Sequence, residues 1–142
     1  MKENSISKRG FDILFSSLGL ILSSPVFLIF AVAIKLDSRG PVFYRGRRVG
    51  RYGKMFRIYK FRSMVHNAER LGAASTSSAD ARVTGVGRWI RKFKLDELSQ
   101  LINVFLGDMS IVGPRPEVQK FVDLYSEEEK RILSLRPGIT DW

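Results

Sequence analysis

The chain has 142 residues, with 24 Lys and Arg against 14 Asp and Glu and a single His, a formal net charge of +10. Hydrophobic residues make up 44% and charged residues 27%. This leaves room for about one domain and excludes both a disordered polyelectrolyte and a polytopic membrane protein. With no Cys, a disulfide framework, a thiolate metal site and a cysteine nucleophile are excluded as well. The charge is uneven: residues 1–71 hold 14 basic and 4 acidic side chains, residues 72–142 ten of each.

From Ile13 to Ile34 the chain runs for 22 residues without a charge. As a helix this is about 33 Å long, close to the thickness of a bilayer's hydrocarbon core. A buried core helix fits poorly, because the run has no polar face and a domain of this size would struggle to cover it. A cleavable signal peptide fits poorly too, since no small-x-small site precedes the basic stretch that follows. A membrane span and a re-entrant hairpin remain. Both flanks are basic: Lys2, Lys8 and Arg9 come before, and residues 35–62 carry ten basic side chains against the single acid Asp37. A span should be asymmetric in Lys and Arg. Ser23-Ser24-Pro25 lies mid-segment, where the proline removes a backbone donor. Both features favour a helix that enters the membrane, breaks at Ser24-Pro25 and returns to the cytoplasmic face, although prolines also occur in ordinary spans.

After Gly40-Pro41, β-branched and aromatic residues mix with Arg and Lys, and Gly50 and Gly53 predict a β-hairpin with strands near 42–48 and 55–61. Its cations suit a solvated face, lipid headgroups or phosphate, and composition does not separate these. Residues 72–81 are small and polar and read as a loop. Leu95, Leu98, Leu101, Ile102, Phe105 and Leu106 are spaced as on one helix face, which Gly107 ends. Ser126 and Glu129 form a capping box for a helix that stops before Pro137. His66, the lone histidine, reads as a surface residue without a catalytic task. The expected fold is mainly α with a small β-hairpin (α+β). Residues 1–40 are expected to form the re-entrant helix-break-helix anchor, broken at Ser24-Pro25, and residues 41–142 a cytosolic, membrane-associated helical domain beside it.

Asp96 and Glu97 stand at the start of the helix that follows Leu95. Acids there commonly cap a helix or complement its dipole. A carboxylate so placed stays ionised, and can coordinate a divalent cation or attack phosphorus. Neighbouring helical residues point about 100° apart, so the two acids suit different roles rather than one chelating pair. Arg88, Arg91 and Lys92 lie close by in sequence, and Gly113-Pro114-Arg115-Pro116 stiffens the backbone around one guanidinium suited to phosphate oxygens. Acids, arginines and a membrane hairpin together point to phosphate chemistry at a bilayer surface. The rival from another class is a non-catalytic, membrane-anchored basic module that binds anionic lipid or nucleic acid, with Asp96 only a cap.

The stretch KLDELSQLINVFLGDMSIVGPRPE, with RVTGVGRWIRKF before it, RIYKFRSM upstream and LRPGIT downstream, resembles the bacterial sugar transferase family, the monotopic polyprenyl-phosphate phosphoglycosyl transferases. The likeness extends from Lys8 to Thr140, with the motifs in order. It implies transfer of a sugar-1-phosphate from a UDP-sugar donor to a polyprenyl (undecaprenyl) phosphate acceptor. UMP is released, and bacterial surface glycan, exopolysaccharide or lipopolysaccharide synthesis begins. It implies Mg2+ at Asp96 and Glu97, Asp96 as the nucleophile of a covalent phosphosugar intermediate, and Glu97 as its partner through the metal or as acid/base. Arg91 and Arg115 fall on phosphate-binding arginines, Lys60 and Arg62 on supporting basic residues, and Ser24-Pro25 on the membrane break. The implied location is the cytoplasmic face of the bacterial inner membrane, among membrane lipids, with no nucleic acid partner and with homo-oligomerisation left open. Two departures are visible. Lys94 replaces the Ser or Thr usual before LDEL. Asp141 stands at a Gly position, and the chain ends at Trp142 where members continue, so it is expected to be a catalytic domain incomplete at its C-terminus, similar to small members without a multi-span domain, or an inactive truncated transferase.

Overall fold

The computed structural model describes residues 5–72 and 79–141. Lys2, Trp142 and most of the expected loop 72–81 therefore lie outside the described residues. The architecture is mainly helical, with three two-stranded sheets among those residues, as expected of the α+β class. The chain divides into two compact units, one of Met1–Leu22, Arg45–Tyr59 and Gln100–Trp142, the other of Ser23–Tyr44 and Lys60–Ser99. Helix α1 (Ile6–Asp37) contributes to both.

Ser5 starts α1: its hydroxyl accepts the Lys8 amide at 3.1 Å, as an N-cap does. The helix then runs through Pro25 without interruption. The break expected at Ser24-Pro25 is thus not a break in helical geometry, because a proline removes one rung of the ladder and leaves the others in place. Its richest 18-residue stretch has a mean hydropathy of 2.3 and is mostly exposed, so α1 is a candidate membrane anchor by length and composition.

In the first unit, β2 (Arg47–Val49) and β3 (Met55–Arg57) pair antiparallel in the register Arg47↔Arg57 and Val49↔Met55. Helix α3 (Leu101–Leu106) ends at Gly107, whose φ of 96° is the left-handed conformation that glycine accepts at a helix terminus. Strands β5 (Ser110–Val112) and β6 (Gly138–Thr140) pair in parallel. Ile58, Val104 and Met109 form the core, with Phe56, Ile111 and Ile139 packed on it. Polar contacts fasten α1 here. Arg9 donates to the carbonyls of Val104 and Phe105 at 2.6 and 2.8 Å, and the buried Asp12 accepts from the Ser110 hydroxyl and the Ile111 amide, both at 3.0 Å. Asn103, fully buried, accepts the Tyr59 amide and donates to the Arg57 carbonyl. Short helix α4 (Gln119–Val122) follows. The capping box forms, with the Ser126 amide on Glu129 at 2.7 Å and the Glu129 amide on the Ser126 hydroxyl at 3.3 Å. The helix it opens is a single 3-10 segment, Glu129–Ser134, shorter than the pattern predicts and finished before Pro137.

In the second unit, β1 (Phe43–Tyr44) pairs antiparallel with β4 (Lys60–Phe61), Phe43 opposite Phe61. The expected hairpin 42–61 is therefore realised as two short ladders, one in each unit. Phe30, Ile34, Phe61 and Ile90 make the core, with Phe30 and Phe61 edge to face at 5.4 Å. Helix α2 (Gly85–Lys92) is capped by Thr84, whose hydroxyl accepts the Gly87 amide at 2.9 Å. Its N-terminus meets the end of α1, where the Asp37 carboxylate accepts the Val86 amide at 2.9 Å.

Candidate functional site

The second unit carries both acids on one turn. Side chains alternate along β4, so Phe61 enters the core and Lys60 points to the other face. From α2 the chain turns through Phe93 and Lys94 into a 3-10 helix, Leu95–Gln100. Lys94 adopts a φ of 53°, left-handed backbone that a non-glycine residue seldom takes, and its amide bonds the Arg91 carbonyl at 3.1 Å. Leu95 packs on the core beside Ile90, which fixes the turn on which Asp96 and Glu97 follow.

Lys60 Nζ lies 3.0 Å from Glu97 Oε1, in an ion pair about a quarter exposed. Asp96 is partly buried. That burial pushes its carboxyl above the usual carboxylate range, opposed by Lys60, reinforced by the neighbouring Glu97 charge, and opposed again by its own amide and Arg91. The sequence predicts a carboxylate kept ionised by a helix terminus; instead desolvation is the largest influence on it. Arg91 Nε donates to the hydroxyl of the buried Ser63 at 2.8 Å. Asp96, Glu97, Lys60 and Arg91 thus form one cluster of two acids between two cations.

Arg62 is placed differently. It is buried, and its guanidinium donates to the carbonyls of Ile34, Ser38 and Arg39 and to the Ser38 hydroxyl, closing the C-terminal end of α1. That is a helix cap and not a place beside the carboxylates. Arg115 belongs to the first unit, where it lines a small cavity with Pro114, Glu117, Tyr125 and Ile132. There the two motif glycines meet backbone to backbone: a Cβ on Gly138 would lie 2.1 Å from the Gly113 nitrogen. Ser24 and Pro25 lie within α1, and His66 is exposed, as its isolation suggests. Sequence reasoning missed Ser63, because a serine that orients an arginine leaves no pattern, and the left-handed backbone of Lys94, although its departure from the motif marked the position.

The residues fit a magnesium ion only in part. Among the described residues there is no cluster of three or more His, Asp or Glu side chains. Two adjacent carboxylates match the way Mg2+ is held by one or two protein oxygens together with substrate phosphates and water.

The bacterial sugar transferase profile matches residues 3–142, and the chain belongs to that family. It is 49% identical, over 95% of its length, to the UDP-N-acetylgalactosamine-undecaprenyl-phosphate N-acetylgalactosaminephosphotransferase of Aeromonas hydrophila, of which it covers 33%. It is 43% identical, over 98% of its length, to the UDP-glucose:undecaprenyl-phosphate glucose-1-phosphate transferase of Escherichia coli, covering 31% of that protein. The exopolysaccharide production protein ExoY of Sinorhizobium fredii is 41% identical over 95% of this chain, which covers 66% of it. The chain thus spans about a third of the length of the first two relatives.

Proposed function

We propose that the protein transfers a sugar-1-phosphate from a UDP-sugar to undecaprenyl phosphate. The reading is carried by Asp96: a half-buried carboxylate of raised pKa, set between Lys60 and Arg91, in a chain of the sugar transferase family. An Asp96 carboxylate oxygen attacks the phosphorus that bears the sugar. A phosphosugar–Asp96 bond forms as the bond to UMP breaks, and UMP leaves with the electron pair. A phosphate oxygen of the acceptor then attacks the same phosphorus and Asp96 is released as carboxylate. One displacement between two anions becomes two steps at one site.

Attack by an anion on an anion requires neutralisation, which Lys60 and Arg91 supply from the protein. Asp96 and Glu97 would hold Mg2+ together with the donor phosphates, and the ion would add charge stabilisation. Glu97, which pairs with Lys60, is assigned to that task as its sequence neighbour. Arg115 is assigned to phosphate on its motif alone, whereas Arg62 is left to its helix cap. Helix α1 is read as re-entrant, with the site on the cytoplasmic face of the inner membrane, because both flanks of its apolar run are basic.

The test is incubation with Mg2+, undecaprenyl phosphate and a panel of UDP-sugars, with UMP measured and the intact protein weighed. UMP release and a phosphosugar adduct lost in Asp96→Asn support the reading. No UMP from any donor overturns it in favour of an anchored basic binding module or an inactive transferase. Binding that survives Asp96→Asn and weakens steeply with salt would mark nucleic acid as that module's ligand.

A further inference from the structure

Besides Lys60 and Glu97, the second unit holds an ion pair between Asp80 and Arg82 that the proposed transfer does not use. Arg82 Nη2 donates to Asp80 Oδ2 at 2.7 Å, its Nε to both carboxylate oxygens at 3.0 and 3.2 Å, and its backbone amide to Oδ1 at 2.9 Å. The Arg82 and Asp80 side chains are only 13% and 17% exposed. The Asp80 carboxyl is drawn down to about 2, first by the Arg82 side chain and then by its amide, with a smaller share from the charge of Arg91. A pair so enclosed is costly to desolvate and is a weak source of stability. What it fixes is the plane of the Arg82 guanidinium, whose Nη1 donates to the Ala68 carbonyl, 14 positions back, at 2.9 Å. Between these points the backbone forms a short antiparallel ladder. The Val65 amide bonds the Arg82 carbonyl at 2.9 Å, Met64 pairs with Val83, and the Thr84 amide bonds the Ser63 carbonyl at 3.1 Å. Lys60 on β4 comes three residues before that ladder, and α2, which carries Arg91, starts where it ends. Ser63 joins the two, since its carbonyl holds Thr84 and its hydroxyl accepts Arg91 Nε.

We propose that Asp80 and Arg82 are positioning residues for the transfer: they clamp the 63–65/82–84 ladder and thereby hold Arg91 at a fixed place relative to Lys60 and the two acids. Neither residue touches the reacting phosphorus. Lys60 is held independently, because β4 also pairs with β1, so the effect of the clamp falls on Arg91. A guanidinium stabilises a transferring phosphate only where its charge is already in place, and a misplacement of about 1 Å can cost on the order of 100-fold in rate. This inference rests on the transfer reading of the Asp96 site, and the experiment separates the two.

The test is a double-mutant cycle on the full chain, read as UMP release in long incubations with the UDP-sugar that the wild type uses. Asp80→Asn keeps an acceptor for the Arg82 amide but loses the charge and the fork. It is measured alone, with Arg91→Met, and against Arg91→Met alone, and the unfolding temperature of each protein is recorded. Asp80→Asn is expected to lower kcat/KM roughly tenfold while the protein remains folded. In the Arg91→Met background the same substitution should cost under about twofold, because the residue through which it acts is gone, while it lowers the unfolding temperature equally in both backgrounds. Equal fold losses with and without Arg91 would make the pair structural only and overturn the inference, as would wild-type kcat/KM in Asp80→Asn. If Asp80→Asn does not fold, Arg82→Lys, which keeps the charge but not the fork, takes its place in the same cycle. No UMP from the wild type with any donor overturns the transfer reading and this inference with it, whereas UMP release with equal losses overturns this inference alone.

Discussion

At the scale of single residues, the ionisation of Asp96 sets the expected behaviour. Its carboxyl is lifted by burial, so the acid limb of the kcat/KM profile, which reports the free enzyme, should lie above the pH of an exposed aspartate. Lys60 opposes that lift. Lys60→Met should therefore move the limb to still higher pH, measured as UMP release across a pH series; a limb that stays in place would remove Lys60 from control of the nucleophile. The same shift affects stability. A carboxyl whose folded pKa exceeds its unfolded value contributes stability at low pH that is lost as pH rises through the folded value. Asp96→Asn cannot ionise, so at neutral pH it should unfold at a higher temperature than the wild type while releasing no UMP, with the thermal gain shrinking below the ordinary aspartate range. Higher stability with lost turnover is the signature of a group buried for chemistry rather than for folding.

At the scale of elements, Arg62 and Gly87 hold the second unit together. Arg62→Met removes the donors on the last carbonyls of α1 and should cost about 2–3 kcal/mol, as lost hydrogen bonds from charged groups do. Denaturant unfolding in detergent would measure it. A Cβ on Gly87 would lie 2.0 Å from the Ser63 carbonyl oxygen, so Gly87→Ala should separate α2 from that strand end and cost about 1–3 kcal/mol. Because Ser63 also holds Arg91, Gly87→Ala should lower turnover beyond its effect on folding. These elements also show what the sequence makes legible. An apolar run without charge, a Ser126–Glu129 capping box and a Gly107 stop act over a few neighbours, and each is written locally. Lys60, Arg91, Asp96 and Glu97 were legible because their motifs travel as blocks. Arg62 was not, since a basic residue after a strand reads alike whether it meets phosphate or helix carbonyls 24 positions away. Arg9 and Asp12 act across 95 and 98 positions and leave no periodic trace. Helix α2 went unseen because its eight residues, two of them glycines, are too short a window for a periodic reading although its faces differ sharply.

For the whole molecule, the course of α1 decides on which side of the bilayer its start lies. The helix is continuous through Pro25, yet its flanks are basic at both ends, and a straight span would put Lys8 and Arg9 opposite the ten cations of residues 35–62. Arg9 and Asp12 bear further on this, because they bond α3 and β5 within the first unit. A residue bonded to a folded unit shares that unit's side of the membrane. The start of α1 should accordingly lie on the same side as Arg45–Tyr59 and the later strands of the first unit. The absence of native Cys makes the measurement clean: Ser5→Cys and Lys54→Cys are each labelled in intact spheroplasts and in inverted vesicles with a membrane-impermeant maleimide. Both should react only in inverted vesicles, and opposite patterns would establish a span. Pro25→Leu restores the missing amide and removes the ring that crowds the preceding turn, favouring a straight helix long enough to cross. In that background part of the Ser5→Cys population should become reactive in spheroplasts, while Lys54→Cys remains where it was. If Ser5→Cys stays wholly on one side with and without Pro25, the Arg9 and Asp12 bonds rather than the proline determine the topology, and Asp12→Leu becomes the substitution expected to release it.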